Sequence, residues 1–222
     1  MNIAVLTAFH GRPEISKIYL RGIESAARTL RFEGINLIPF YVCSPDDPQP
    51  VKPSLVYPNL PVSNKHNALG RFICDYADEQ GIPFDYVIQF GSDDVFSPEL
   101  FDLYRPAFGD PIIGLKDMVF HDISTGRTKR IHRTQLGNAF GAGRMIRWDI
   151  FAKHHGAIWP AGKNSGLDYR SYEILRERET KFNQPHIPVV VDLKSAENIW
   201  KFDTLKGTEM EAPEWVKELL TD

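Results

Sequence analysis

The first forty-two residues constrain the fold more than any other part of the chain. Ile3 to Thr7 is a short apolar run ending at a polar break, the pattern of a strand buried on both faces. Pro13 suits the first turn of a helix. After it Ile15, Tyr19, Ile23, Ala26 and Leu30 recur at three- and four-residue steps, with Lys17, Arg21, Glu24 and Arg28 on the other side. Gly34 ends that helix, and Asn36 to Val42 supplies a second strand. A strand–helix–strand unit of this length makes a right-handed crossover between parallel strands. The chain is thereby committed to an α/β architecture.

The alternation continues downstream. Leu55 to Tyr57 reads as a short strand, and a helix starts near Lys65 with Leu69, Phe72, Ile73 and Tyr76 facing inward. Asp85 to Phe90 is a third strong strand, followed by a short helix opened by Ser97-Pro98-Glu99. Pro111 to Leu115 and Pro188 to Asp192 are further strands, and Met118 to Ile123 with Arg127 to Ile131 predicts a hairpin around Ser124-Thr125-Gly126. Gly137 to Gly143 is a glycine-rich loop leading to Met145-Ile146. Helices are expected at Arg147 to His154, Leu167 to Arg178 and Pro213 to Leu220. With 222 residues and strands on both sides of the proline-rich stretch near residue 50, one domain over 1–222 is the economical reading.

Composition narrows the function. Lys and Arg number 26 against 29 Asp and Glu, a formal charge of −3, which excludes a wholesale nucleic-acid coat. Two cysteines, Cys43 and Cys74, lack metal-type spacing, so neither a disulfide scaffold nor a zinc module is indicated. The N-terminus has no basic segment ahead of its short apolar run, and no stretch approaches the roughly 20 apolar residues of a membrane span. A soluble, cytoplasmic protein is expected.

The sharpest chemical signal is Gly91-Ser92-Asp93-Asp94 at the end of the third strand. Ligands of open α/β sheets bind outside such carboxyl ends. Adjacent carboxylates there repel unless something positive joins them, and Mg²⁺ or Mn²⁺ is the natural partner. The competing reading is a solvated turn capping the next helix. Arg127, Lys129, Arg130, His132 and Arg133 form the one basic cluster. It is either a solvated face or a contact for an anionic acceptor or a diphosphate. Lys194, Asn198 and Trp200 follow the last strand, where they could close over a bound ligand, although Trp200 reads better as packing. The histidines show no metal pairing and receive no catalytic role.

Taken in order, several segments carry a family resemblance. Val5-Leu6-Thr7-Ala8-Phe9-His10-Gly11-Arg12-Pro13-Glu14 resembles the opening strand and loop of family 2 glycosyltransferases of the GT-A fold. Ser63-Asn64-Lys65-His66-Asn67-Ala68-Leu69 is similar to a Lys-containing segment of some members, and Tyr86 to Asp94 to their apolar strand and DXD-type metal site. Asn138 to Asp149 resembles the glycine loop with its following helix, and Gly166 to Tyr172 the downstream acidic segment. The resemblance implies a single GT-A-type domain with a Rossmann-like, mostly parallel mixed sheet flanked by helices. Residues 1–115 would bind a UDP- or GDP-sugar, and 116–222 would bind the acceptor.

It also implies roles. Thr7, Phe9 and Arg12 would border base and ribose, and Asp46 or Asp47 would accept from a base N–H. Asn64, Lys65 and Asn67 would line the same cleft, with Lys65 near phosphate, while Gly141 and Gly143 would let backbone approach the sugar. Asp93 would touch the ribose or share the metal, and Asp94 would hold Mn²⁺ or Mg²⁺ against the diphosphate. Ser92 stands where many members carry an acid, leaving ligation by one Asp plus water. Asp168 would be the base of an inverting transfer to a hydroxyl, its alternative being an ordinary first-turn Asp. The acceptor is open, a modified nucleic acid among the options. Two other readings stand beside this one: a nucleotidyltransferase, although Gly11-Arg12-Pro13 offers a poor phosphate loop, and a non-catalytic nucleotide-sugar or glycan-binding module.

Overall fold

The computed structural model describes residues 1–45, 54–132, 139–195 and 202–221. Strand β1 (Asn2–Ala8) leads into helix α1 (Pro13–Phe32) and strand β2 (Asn36–Cys43), which lies parallel to β1. The opening unit thus forms as the sequence predicts. Strand β3 (Leu55–Val56) follows, then α2 (Val62–Gln80), which begins three residues earlier than its apolar spacing suggests. Next come β4 (Tyr86–Gly91), β5 (Asp94–Phe96), α3 (Glu99–Tyr104), β6 (Ile112–Leu115), β7 (Asp117–Asp122) and β8 (Thr128–His132). The chain continues through β9 (Arg144–Arg147), α4 (Trp148–Lys153), α5 (Leu167–Leu175), β10 (Glu179–Phe182), β11 (Val190–Lys194), β12 (Thr208–Met210) and α6 (Glu214–Thr221).

Two sheets result. The larger has the order β10-β6-β9-β4-β1-β2-β3, parallel except where β9 runs against β4 and β6. The period of two along β1 explains how it is covered. Ile3 and Val5 face a core shared with Tyr19 and Ile23 of α1 and Phe101 of α3. Ala4 and Leu6 face the other side, against Leu69 and Ile73 of α2 and Phe151 of α4. Both faces are dry, as a mostly parallel sheet requires. Ile88, at the centre of β4, is fully buried, and its truncation to Ala would cost about 2–5 kcal/mol.

The smaller sheet has the order β12-β8-β7-β11-β5. The expected hairpin is its β7–β8 pair, and Val95, Val119, Val191 and Leu193 pack its face against Ile15 of α1 and Val216 of α6. The two halves of the chain interleave: β5 from the first joins the small sheet, while β9 and β10 from the second join the large one.

The structure corrects the sequence reading in three places. Asp94, the last residue of the polar stop after the third strand, begins a further short strand, β5. Arg144–Arg147 is an internal strand, because its four residues are held by β4 and β6 rather than by their own propensity. The helix expected to run to Arg178 stops at Leu175, since Arg176 turns left-handed (φ 51°), and β10 begins at Glu179.

Candidate active site

β4 runs parallel to β1, so its carboxyl end delivers Ser92 and Asp93 to the edge of the sheet. The chain then turns into β5, which pairs antiparallel with β11 and sets Asp94 directly opposite Asp192. Side chains so placed stand about 5 Å apart on one face. Carboxylate oxygens of Asp93, Asp94 and Asp192 accordingly lie within 4.8 Å of one another. Gly91 makes room: a Cβ there would sit 2.7 Å from Asp93 Oδ1 and 2.9 Å from Asp94 Oδ2. Its N–H also donates to Asp94 Oδ2 at 2.5 Å.

Two cations face these three carboxylates. Arg12 Nη1 is 2.6 Å from Asp93 Oδ2, and Lys194 Nζ is 2.8 Å from Asp192 Oδ2 and 4.0 Å from Asp93 Oδ2. Asp192 Oδ1 is shielded from solvent and has no hydrogen-bond partner. Burial first, and the Asp93 charge second, push the Asp94 carboxyl up to about 7 and that of Asp192 well above its usual range. Such a cluster resists ionisation until a cation joins it. Its all-carboxylate donors and the orphaned Asp192 oxygen fit a hard divalent ion, Mg²⁺ or Mn²⁺. Asp192 thus adds a third acid, across the ladder, to the pair that follows β4. Sequence reasoning passed over that residue; its one signal was a carboxylate at the end of an apolar strand.

From Asp94 and Asp192 a cleft of about 740 Å³ extends to Asp168, passing Gly91, Phe140 and Gly141. Asp168 occupies the first turn of α5, where the helix dipole favours an anion. The Gly141 backbone presses against it, for a Cβ would lie 2.2 Å from Asp168 Oδ1. Beneath both is Arg144, 1 % exposed, another residue the sequence did not flag. Its Nη1 donates to the Asp168 carbonyl (2.9 Å) and Ser171 Oγ (2.7 Å), and its Nη2 to the Ala139 carbonyl (2.6 Å). Glu179 accompanies it at 3.3 Å and accepts from the Ala139 N–H. One buried ion pair therefore ties the glycine loop to the turn that carries Asp168.

Asp94, Gly141 and Asp168 thus line the cleft, with Asp93 and its partner Arg12 next to Asp94. Other candidates brace it instead. Thr7 Oγ1 is bonded to Tyr19 Oη, and the buried Phe9 ring packs edge-on against Tyr19 and Tyr41. Lys65 is buried, with its ammonium on the Phe9 carbonyl (2.5 Å) and Ser44 Oγ (2.7 Å), so it anchors the loop after β1. Asn64 accepts from Gly162 N–H, and Asn67 spends both amide atoms on the Trp159 backbone. Gly143 takes a left-handed turn (φ 73°) and bonds the Gln89 carbonyl. Asp46, Asp47, Arg133, Asn138, Asn198 and Trp200 lie outside the described residues.

The basic cluster is largely consumed internally. Arg127 pairs with Asp203 and Glu209. Lys129 lies over the Phe202 ring at 4.6 Å and donates to the Leu205 carbonyl, while Arg130 donates to the Pro185 carbonyl beside Asp117. His132 lines the cleft.

No family model matches the sequence, and no curated protein matches it. Solved structures do. TarS of S. aureus, residues 1–349, superposes with a TM-score of 0.57 at 11% identity over 87% of this chain and 60% of that one, and its UDP-GlcNAc complex matches equally well. The catalytic domain of Drosophila β1,4-galactosyltransferase 7 with xylobiose superposes with a TM-score of 0.52 at 13% identity, over 100% of this chain and 79% of that one. A mutant of that enzyme with manganese, UDP-Gal and xylobiose matches with a TM-score of 0.51. The fold is therefore that of the GT-A glycosyltransferases. The chain spans three fifths of the TarS structure and most of the galactosyltransferase domain. Among the described residues no helix is long and apolar enough to cross a membrane.

Proposed function

We propose that the chain is a metal-dependent glycosyltransferase that moves a sugar from a UDP- or GDP-sugar to an acceptor hydroxyl with inversion. One observation carries this reading: a single cleft is lined both by Asp94 and Asp192 of the three-carboxylate cluster and by a separate carboxylate, Asp168. Asp93, Asp94 and Asp192 would hold the ion, which when bound neutralises the departing nucleoside diphosphate. Arg12 and Lys194 flank them and offer positive charge to the same phosphates. Asp168, in the first turn of α5, takes the proton from the attacking hydroxyl. The Arg144–Glu179 pair holds that turn in place. Because Arg127, Lys129 and Arg130 are engaged internally, they lend no support to a nucleic-acid acceptor.

Thermal shift and calorimetry with UDP or GDP plus Mn²⁺ test the proposal. Stabilisation by one diphosphate that needs both the ion and Asp94 is expected, together with metal-dependent hydrolysis of one sugar nucleotide from a panel. No binding of any nucleoside diphosphate, or full activity of Asp94→Ala, would overturn it.

A further inference from the structure

The first two turns of α2 are dense in polar side chains: Ser63, Asn64, Lys65, His66 and Asn67. Four of them have protein partners. Ser63 Oγ accepts from Lys163 N–H at 2.9 Å, Asn64 Oδ1 from Gly162 N–H at 3.0 Å, and Lys65 and Asn67 are bonded as described. His66 is the exception. Its ring packs against the indole of Trp159, with centroids 5.0 Å apart, and its Nδ1 is shielded from solvent with no hydrogen-bond partner. Trp159 Nε1 is likewise buried without one. A core histidine normally finds a partner, since an unmet polar group in the interior is costly.

The place of this residue gives the deficit a meaning. His66 is 8 % exposed, and what remains open belongs to the wall of the cleft that contains Asp94 and Asp168. His66 therefore shares a cleft wall with both Asp94 and Asp168. Burial, then the neighbouring Lys65 charge, lower its pKa to about 4. It is therefore neutral at physiological pH, with one donor and one acceptor nitrogen. A neutral two-sided group suits a hydroxyl, which both gives and accepts; it suits a phosphate poorly.

We propose that His66 is a specificity-determining residue that hydrogen-bonds a hydroxyl of the transferred sugar, between the diphosphate end of the cleft and Asp168. The assignment rests on the donor reading above. Buried hydrogen-bonding groups discriminate strongly, because a sugar lacking the matching hydroxyl leaves them unmet.

Calorimetry with Mn²⁺ on the whole chain separates sugar from nucleotide. UDP, UDP-glucose, UDP-galactose, UDP-GlcNAc, GDP and GDP-mannose are titrated into the unaltered protein, His66→Phe and His66→Gln, with His66→Leu as the apolar variant should His66→Phe fail to fold. The apolar variant is expected to bind the free diphosphate within about twofold of the original while losing about tenfold in affinity for the preferred sugar nucleotide. His66→Gln, which keeps a donor and an acceptor, should recover part of that loss. Unchanged sugar-nucleotide affinity in the apolar variant overturns the assignment, as does an equal loss for diphosphate and sugar nucleotide. Should the unaltered protein bind neither class of ligand, the donor reading itself fails.

Discussion

Two concentrations of charge in this molecule have opposite fates. Between residues 127 and 132 the cations meet carboxylates, carbonyls and an aromatic ring from the protein itself. At the junction of β5 and β11, three carboxylates share two cations, and one shielded oxygen is left without a partner. The first is a run in the sequence and the second is assembled by folding, with Asp192 brought to Asp93 and Asp94 from far along the chain; only the second remains short of compensation. Charge that the fold satisfies is architecture; charge that it leaves wanting marks where a ligand belongs.

The contrast can be broken by substitution. The largest effect is expected for Asp94→Asn, which should lower metal-dependent turnover of the preferred donor by at least a few hundredfold in a steady-state assay. Asp168→Asn should follow, with a loss of about a hundredfold in kcat while calorimetry finds the affinity for diphosphate and Mn²⁺ within about twofold. Equal damage to binding and turnover would mean that Asp168 shapes the site and does not act in the transfer.

Asp192→Asn sharpens the contrast from the side of stability. In chelator at pH 8 three crowded acids share two cations, so this variant should melt about 2–4 °C higher than the original, a gain of about 1 kcal/mol. Adding Mn²⁺ should reverse the order, since only the original keeps all three acids. Scanning fluorimetry with and without the ion reads both. The smallest effect belongs to Arg127→Gln: its partners are exposed, so turnover should be unchanged and melting should fall by no more than about 2 °C. A large loss of turnover in that variant would give the basic cluster a part in the chemistry.

Much of the frame was legible because its information is local. The period of α1, the apolar runs of β1, β2 and β4, and the β7–β8 hairpin each declare themselves within ten to twenty residues, and all formed. The acids after β4 were legible for the same reason. What escaped depends on partners far along the chain. Asp192 becomes a member of the cluster only because β11 pairs with β5, and Arg144 becomes the clamp of the Asp168 turn only because β9 is inserted between β4 and β6. Phe9, Thr7 and Asn67 sit in segments that resemble binding motifs, yet their side chains turn toward Tyr19, Tyr41 and the Trp159 backbone. A short motif gives the address of a residue but not the direction of its side chain.

The pairing of β5 with β11 also bears on how the protein is made. Asp94 and Asp192 are separated by roughly a hundred residues, so the pair is a contact of high sequence separation with a high loop-closure cost. A nascent chain that has exposed only its first half carries Asp93 and Asp94 but not their third companion. On the proposed reading, a divalent ion meets all three acids only after synthesis has passed β11 and the small sheet has closed. A titration of stalled and finished chains with Mn²⁺ would read that dependence.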